Sequence, residues 1–71
     1  MRTFELREGD HYTVQYHQVF RNHAIRFVRT EVSLWLNQFG VIYTLHYGLD
    51  SKFTIDIEDD RQAAHFKLTW M

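Results

Sequence analysis

Histidine is the residue type of this sequence with the widest chemistry, because an imidazole can bind a metal ion or transfer a proton near neutral pH. Two of the five histidines, His11 and His17, would point to the same side of an extended strand. Six residues of strand span about 20 Å, however, which is too far for two ligands of one ion. His17 and His23 are separated by an expected element boundary. We therefore expect surface or turn histidines and predict no metal site.

The most compact polar group surrounds His46, which shares one face of an expected hairpin with Thr44, Thr54 and Asp56. A histidine and a carboxylate within reach of each other could perform acid–base chemistry. No nucleophile, glycine-rich phosphate loop or oxyanion arrangement accompanies them in the sequence. An ordinary solvated sheet face is the preferred interpretation, so we predict a protein that is not an enzyme and needs no cofactor. An enzyme centred on His46 and Asp56 is the third alternative for its function.

Carboxylates are dense near residue 58, with Asp56, Glu58, Asp59 and Asp60 close together. Carboxylate oxygens suit Mg²⁺ or Ca²⁺, but the spacing fits no EF-hand loop. Asp59 and Asp60 are also explained without an ion, because carboxylates are favourable at the N-terminus of a helix.

These side chains must be positioned by one domain covering residues 1–71, since a chain this short has room for a single core. Apolar residues make up 45% of the chain and aromatic residues 17%, so large rings must supply much of the buried area. Cysteine is absent, which removes disulfides and thiolate metal sites. The sequence shows neither a signal peptide nor an apolar run near the roughly 20 residues of a membrane span. It therefore predicts a cytoplasmic protein without membrane contact.

Alternating apolar and polar residues predict a first hairpin before residue 17. Matching the apolar faces places Phe4 opposite Tyr16 and Leu6 opposite Val14, with a three-residue turn at 9–11.

A helical period follows the first hairpin and predicts a helix over residues 23–39, with Asn22 as its N-cap and Gly40 as its left-handed stop. The apolar positions of this helix are Ile25, Val28, Val32, Trp35, Leu36 and Phe39.

Alternation resumes after Gly40 and predicts a second hairpin around a connection at 48–52. Its expected pairs are Tyr47 with Phe53, Leu45 with Ile55, and Tyr43 with Ile57.

The last segment is compatible with two structures. Asp59 or Asp60 would cap a terminal helix, and Gln62 stands three residues after Asp59 as in a capping box. A strand over 64–70 is the alternative, because Ala64, Phe66, Leu68 and Trp70 alternate. With the helix, the fold class is α+β, a two-layer domain in the order β-β-α-β-β-α. A small, mostly antiparallel sheet would pack on the one long helix.

The closing run from Phe53 to Trp70 resembles the ends of small uncharacterised proteins of tailed bacteriophages, including cyanophages. Those proteins often end in an acidic pair, an alanine and then Phe-Lys-Leu-x-Trp; here Asp59 and Asp60 are followed by Ala63 and by Phe66-Lys-Leu-Thr-Trp70. The resemblance covers about a quarter of the chain. It implies a phage or marine bacterial setting, hence the cytoplasm of a host cell, and brings no activity with it.

The predicted long helix is too apolar for a single sheet to cover, since Phe27 and Leu34 widen its apolar arc to roughly 200°. Either another element of the chain covers that flank, or Phe27, Leu34 and Trp35 meet another chain. We predict a protein-binding or assembly module that contacts another protein or forms a homodimer through these three residues.

Nucleic-acid binding is the alternative partner class. Arg26 and Arg29 would lie on the polar side of the helix, where they could follow phosphates. A small regulatory protein of this kind would use them together with Arg21. The net charge of −1 argues against binding that depends on phosphate contacts alone.

Overall fold

The structure, a computed structural model, describes residues 1–16, 18–19 and 23–71. Its elements, in chain order, are β1 (Arg2–Glu5), β2 (Tyr12–Tyr16), β3 (Ala24–Val28), α1 (Thr30–Gln38), β4 (Tyr43–Tyr47), β5 (Phe53–Ile57) and α2 (Asp60–Trp70). The predicted α+β class is confirmed. The six predicted elements are present in the expected order, with β3 as an additional strand before the helix.

The strand β3 occupies the first third of the predicted helix, so the prediction of a helix over 23–39 was wrong there. β3 pairs antiparallel with β2, which places Phe27 opposite Thr13 and Ile25 opposite Gln15. Branched and aromatic side chains of this kind pack well on a pleated surface. Pairing also satisfies the backbone of β2, which would otherwise lack a partner strand. The predicted N-cap Asn22 lies outside the described residues.

The helix α1 has nine residues and follows Arg29, whose side chain makes no capping hydrogen bond. It ends in a Schellman motif: the Gly40 N–H donates to the Asn37 carbonyl at 3.2 Å, and the Val41 N–H donates to the Leu36 carbonyl at 2.9 Å. Gly40 has φ +59°, so the predicted left-handed stop is confirmed. The expected packing on one long helix is corrected, because α2 with eleven residues is the longer of the two.

The predicted first hairpin is also wrong, because β1 pairs with β5 and not with β2. Phe4 lies opposite Ile55, and the Leu6 N–H extends this ladder to the Phe53 carbonyl at 2.7 Å. The turn at 9–11 is present, but it connects two different sheets. The reason lies in β5, whose alternate side chains are buried and whose backbone therefore needs partners on both sides.

The second hairpin has the predicted register, with Leu45 opposite Ile55 at its centre. It contributes β4 and β5 to a three-stranded sheet in the order β1-β5-β4. The terminal segment is the helix α2 and not a strand. Its N-cap is Asp59, whose carboxylate accepts a hydrogen bond from the Gln62 N–H at 2.9 Å.

Both helices contribute buried side chains to one core that they share with β5. The core is formed by Leu6, Val32, Leu36, Val41, Phe53, Ile55, Ile57, Ala63 and Phe66. The pair β2–β3, here called the ribbon, joins this core at its base, where the rings of Tyr12 and Phe53 lie 4.8 Å apart. The described residues span 43 × 24 × 17 Å, an elongated shape for so short a chain. None of the helices in the described part of the chain is long and apolar enough to cross a membrane.

Candidate functional site

The ribbon has two different faces. Tyr12, Val14, Arg26 and Val28 share the inner face, and all four are partly buried. The outer ribbon face consists of Thr13, Gln15, Ile25 and Phe27, which are all exposed. Alternation along paired strands produces this division, since successive side chains point to opposite sides.

Ile25 and Phe27 form the apolar part of the outer ribbon face. Ile25 is 60% exposed and Phe27 is 47% exposed, although both are large apolar side chains. Two residues apart on one strand, they lie side by side. Phe27, which the sequence predicts as an interface residue, is exposed, as an interface residue must be. Ile25 was assigned to the apolar stripe of the helix, so its exposure on a strand was not predicted. The sequence does contain a signal for this strand: Ala24, Arg26 and Val28 alternate with Ile25 and Phe27.

Leu34, the second predicted interface residue, is 62% exposed on α1. At 100° per residue it lies on the opposite side of α1 from the buried Val32 and Leu36. Because Phe27 belongs to β3 and Leu34 to α1, the two do not form the continuous helix flank that the sequence predicts.

Trp35, the third predicted interface residue, is partly buried between the two helices. Its ring lies 4.8 Å from that of His65, 6.1 Å from that of Phe66 and 6.3 Å from that of Trp70, as measured between centroids. Phe39 stacks against it at 4.9 Å. These edge and tilted geometries are the favourable ones for aromatic pairs. Trp35 thus contributes to the packing of α1 on α2.

Arg26 and Arg29, two arginines of the nucleic-acid alternative, do not lie on a helix face, because Arg26 belongs to β3 and Arg29 precedes α1. Arg26 lies on the inner face of the ribbon, with its guanidinium carbon 3.7 Å from the centre of the Tyr47 ring and Nη2 2.8 Å from the Tyr47 hydroxyl. Arg29 donates to the Gly9 carbonyl at 2.6 Å and forms an ion pair with Glu31 at 2.8 Å. Arg21 lies outside the described residues. Arg26 and Arg29 both hold the ribbon against the rest of the protein.

His46 and Asp56 lie on the solvent side of the three-stranded sheet, on adjacent strands. His46 is opposite Thr54 and Asp56 is opposite Thr44, so the two are diagonal neighbours. Asp56 accepts a hydrogen bond from the Thr3 hydroxyl at 2.7 Å. The expected solvated face of threonines with one histidine and one carboxylate is therefore present.

Two of the clustered carboxylates, Asp59 and Asp60, stabilise the N-terminus of α2. Asp59 caps α2, and Asp60 begins the first turn of that helix, where a carboxylate is favourable. Among the residues that the structure describes, no three histidine or carboxylate side chains are grouped as a metal site would require.

His11 was expected to be a surface or turn residue. It lies in the turn at 9–11 as expected, but it is not on the surface, because it is only 1% exposed. Its Nδ1 accepts a hydrogen bond from the Arg7 N–H at 2.8 Å, and its Nε2 lies 2.8 Å from the Trp70 carbonyl oxygen. It connects the turn after β1 to the end of α2. The sequence gives no local signal for this, because the partners are 4 and 59 residues away.

Comparison with protein families, curated proteins and solved structures returned no match for this chain. The similarity of the closing run to bacteriophage proteins therefore stays a prediction. What the fold and the surface define is a small α+β domain with a projecting, anchored β-ribbon.

Proposed function

We propose that this chain is a small non-enzymatic protein-binding module and that the outer ribbon face contacts its partner. The observation that carries the proposal is the pair Ile25 and Phe27, two large apolar side chains that lie together in contact with water. Thr13 and Gln15 lie opposite them on the paired strand. An apolar centre with polar neighbours is the usual composition of a protein interface that forms and dissociates.

The way the ribbon is anchored supports this role. Its inner face is held at the base by the ring contact of Tyr12 with Phe53 and by the contacts of Arg26 with Tyr47. The outer face takes no part in these contacts, so its side chains can bind a partner without disturbing the core. A ribbon already held in place loses less entropy on binding than a mobile loop does.

Leu34 extends the proposed surface along α1, whereas Trp35 supports it from within by fixing α1 on α2. The partner is another protein, and the module acts in the cytoplasm, that of the host cell for a chain of phage origin. The resemblance of the closing run to phage proteins supports this setting.

A photocrosslinking amino acid at position 27 tests the proposal in cells that express the protein naturally. We expect a discrete crosslinked product with another protein, and we expect it to be lost when Ile25→Asp is added. The matched control places the same probe at Leu68, which is still more exposed but lies on α2. Identical products from both positions, or a product that Ile25→Asp leaves unchanged, would show that the outer ribbon face is not a binding surface.

A further inference from the structure

The strand β4 lies at the edge of the three-stranded sheet, and among the residues that the structure describes no strand pairs with its other side. The Gly48 N–H donates to the Lys52 carbonyl at 3.0 Å, so residues 48 and 52 form a hydrogen-bonded pair. In an antiparallel ladder such pairs alternate, which directs the backbone groups of Thr44 and His46 to β5. The N–H and C=O groups of Tyr43, Leu45 and Tyr47 then point away from the sheet.

The opposite side of β5 gives the same assignment. The Leu6 N–H donates to the Phe53 carbonyl, so the odd-numbered residues of β5 bond to β1 and the even-numbered ones to β4. Within the described residues, no backbone group takes up the outward N–H and C=O groups of β4. They form a row that can pair with another strand.

The other strand edges are less open. On β2, the Tyr12 carbonyl already accepts a hydrogen bond from the Gly9 N–H at 2.7 Å, which closes one end of that edge. β3 has Arg26 at its centre, and β1 has Arg2 and Glu5 at its two ends. Charged side chains discourage pairing between edges. By contrast β4 contains no proline, lysine, arginine or carboxylate, and its ladder with β5 has no bulge.

We propose that β4 pairs antiparallel with β4 of a second copy of this chain, with the two-fold axis at Leu45. In this register Leu45 meets Leu45 of the second copy, and Tyr43 meets Tyr47, so apolar side chains meet on one face. Thr44 meets His46 on the other face, so polar side chains meet there. The outward groups supply two hydrogen bonds at each of the three pairs that Tyr43, Leu45 and Tyr47 form.

The self-complementary sequence determines both the occupant and the register. Moving the axis to Tyr47 would bring the turn at 48–52 into the ladder, and moving it to Tyr43 would lose one end of the strand. With the axis at Leu45 the two sheets join into one continuous sheet of six strands. Leu45 and Tyr47, which are 38% and 43% exposed, become covered. The contact is small, so the dimer forms weakly and depends on concentration.

Charge substitution at the axis tests the register. Leu45→Lys and Leu45→Glu each place two like charges opposite one another, so each variant alone should give the mass of a monomer by light scattering. An equimolar mixture of the two should regain the dimer that the wild type forms, near twice 8.7 kDa at high concentration. The matched control Leu49→Lys lies in the turn and should leave dimer formation unchanged.

The wild-type protein provides a second measurement that needs no variant. Amide hydrogen exchange at Tyr43, Leu45 and Tyr47 should slow as the protein concentration rises, while exchange at Thr3 and Glu5 on the other edge should not. A monomer at every concentration, a Leu45→Lys dimer, or a mixture that remains monomeric would each overturn the proposal. We expect a double variant with Ile25→Asp and Phe27→Asp still to form the dimer. This result would show that the dimer contact at β4 is distinct from the outer ribbon face.

Discussion

The imidazole Nε2 of His11 lies 2.8 Å from the carbonyl oxygen of Trp70, and this contact joins the turn between β1 and β2 to the end of α2. Trp70 is the last residue of α2, where carbonyl groups lack partners within the helix. The other ring nitrogen accepts from the Arg7 N–H, so the ring carries its proton on Nε2. One buried side chain thus satisfies backbone groups of two distant segments.

Replacing His11 with leucine should lower the free energy of unfolding by about 2 to 4 kcal/mol, because the Arg7 N–H and the Trp70 carbonyl both lose their partner. Urea unfolding should show a lower midpoint with an unchanged slope. The control is His46→Thr on the solvated face, which should stay within about 0.5 kcal/mol of the wild type. Equal losses in both variants would contradict the role of His11.

The tautomer of His11 is a separate expectation. Its Nδ1 accepts and its Nε2 donates in the structure. Nitrogen-15 chemical shifts of the imidazole should therefore identify the form with the proton on Nε2. A proton on Nδ1 would be incompatible with the Arg7 contact.

Asp59 and Asp60 are neighbours with different roles, and substitution should separate them. Asp59→Ala removes the side-chain acceptor of the Gln62 N–H and should cost about 1 kcal/mol of stability. Asp60→Ala removes only a charge in the first turn and should cost less, about 0.3 to 0.5 kcal/mol. Thermal unfolding of both variants measures the difference. A larger loss of stability from Asp60→Ala would show that Asp59 is not the residue that caps the helix.

Trp35 and Leu34 are adjacent in sequence, but only the substitution of Trp35 should destabilise the protein strongly. Trp35→Ala removes the ring packed against Phe66 and Trp70 and should destabilise the protein by about 3 kcal/mol. Leu34→Ala removes a side chain already in water, so its stability should change by no more than about 0.5 kcal/mol. Urea unfolding distinguishes them; similar losses would mean that Leu34 is covered within the monomer.

The contact between Arg26 and Tyr47 should be measurable as a coupling energy. In a double-mutant cycle of Arg26→Met and Tyr47→Leu, we expect a coupling of about 0.5 to 1 kcal/mol from the stacking and the hydrogen bond. Tyr47→Phe, which keeps the ring and loses the hydroxyl, should retain part of it. The measurement is made in dilute solution, where a weak dimer would dissociate, and a coupling of zero would mean that Arg26 does not hold the ribbon.

The sequence by itself determined the features that depend on neighbouring residues. The left-handed stop at Gly40 and a carboxylate cap at Asp59 or Asp60 each involve partners within about one helical turn, and the structure selects Asp59. The register of β4 on β5 also followed from local alternation across a short connection, because a slip of one residue would have turned the apolar side chains to water.

Only the tertiary structure decided which distant segments pair. Val28 and Val32 fit a helical stripe, yet Val28 also fits the alternation of β3, and the presence of β2 as a partner strand selects the strand. Likewise Phe4 could pair with Tyr16 or with Ile55. It pairs with Ile55, because the buried strand β5 needs hydrogen-bond partners on both sides. The position of Arg26 and the exposure of the outer ribbon face follow from the pairing of β2 with β3. The edge position of β4 follows from the pairing of β1 with β5. The physical reason is that backbone pairing and burial are satisfied over the whole chain, whereas periodicity reports only the preference of each segment.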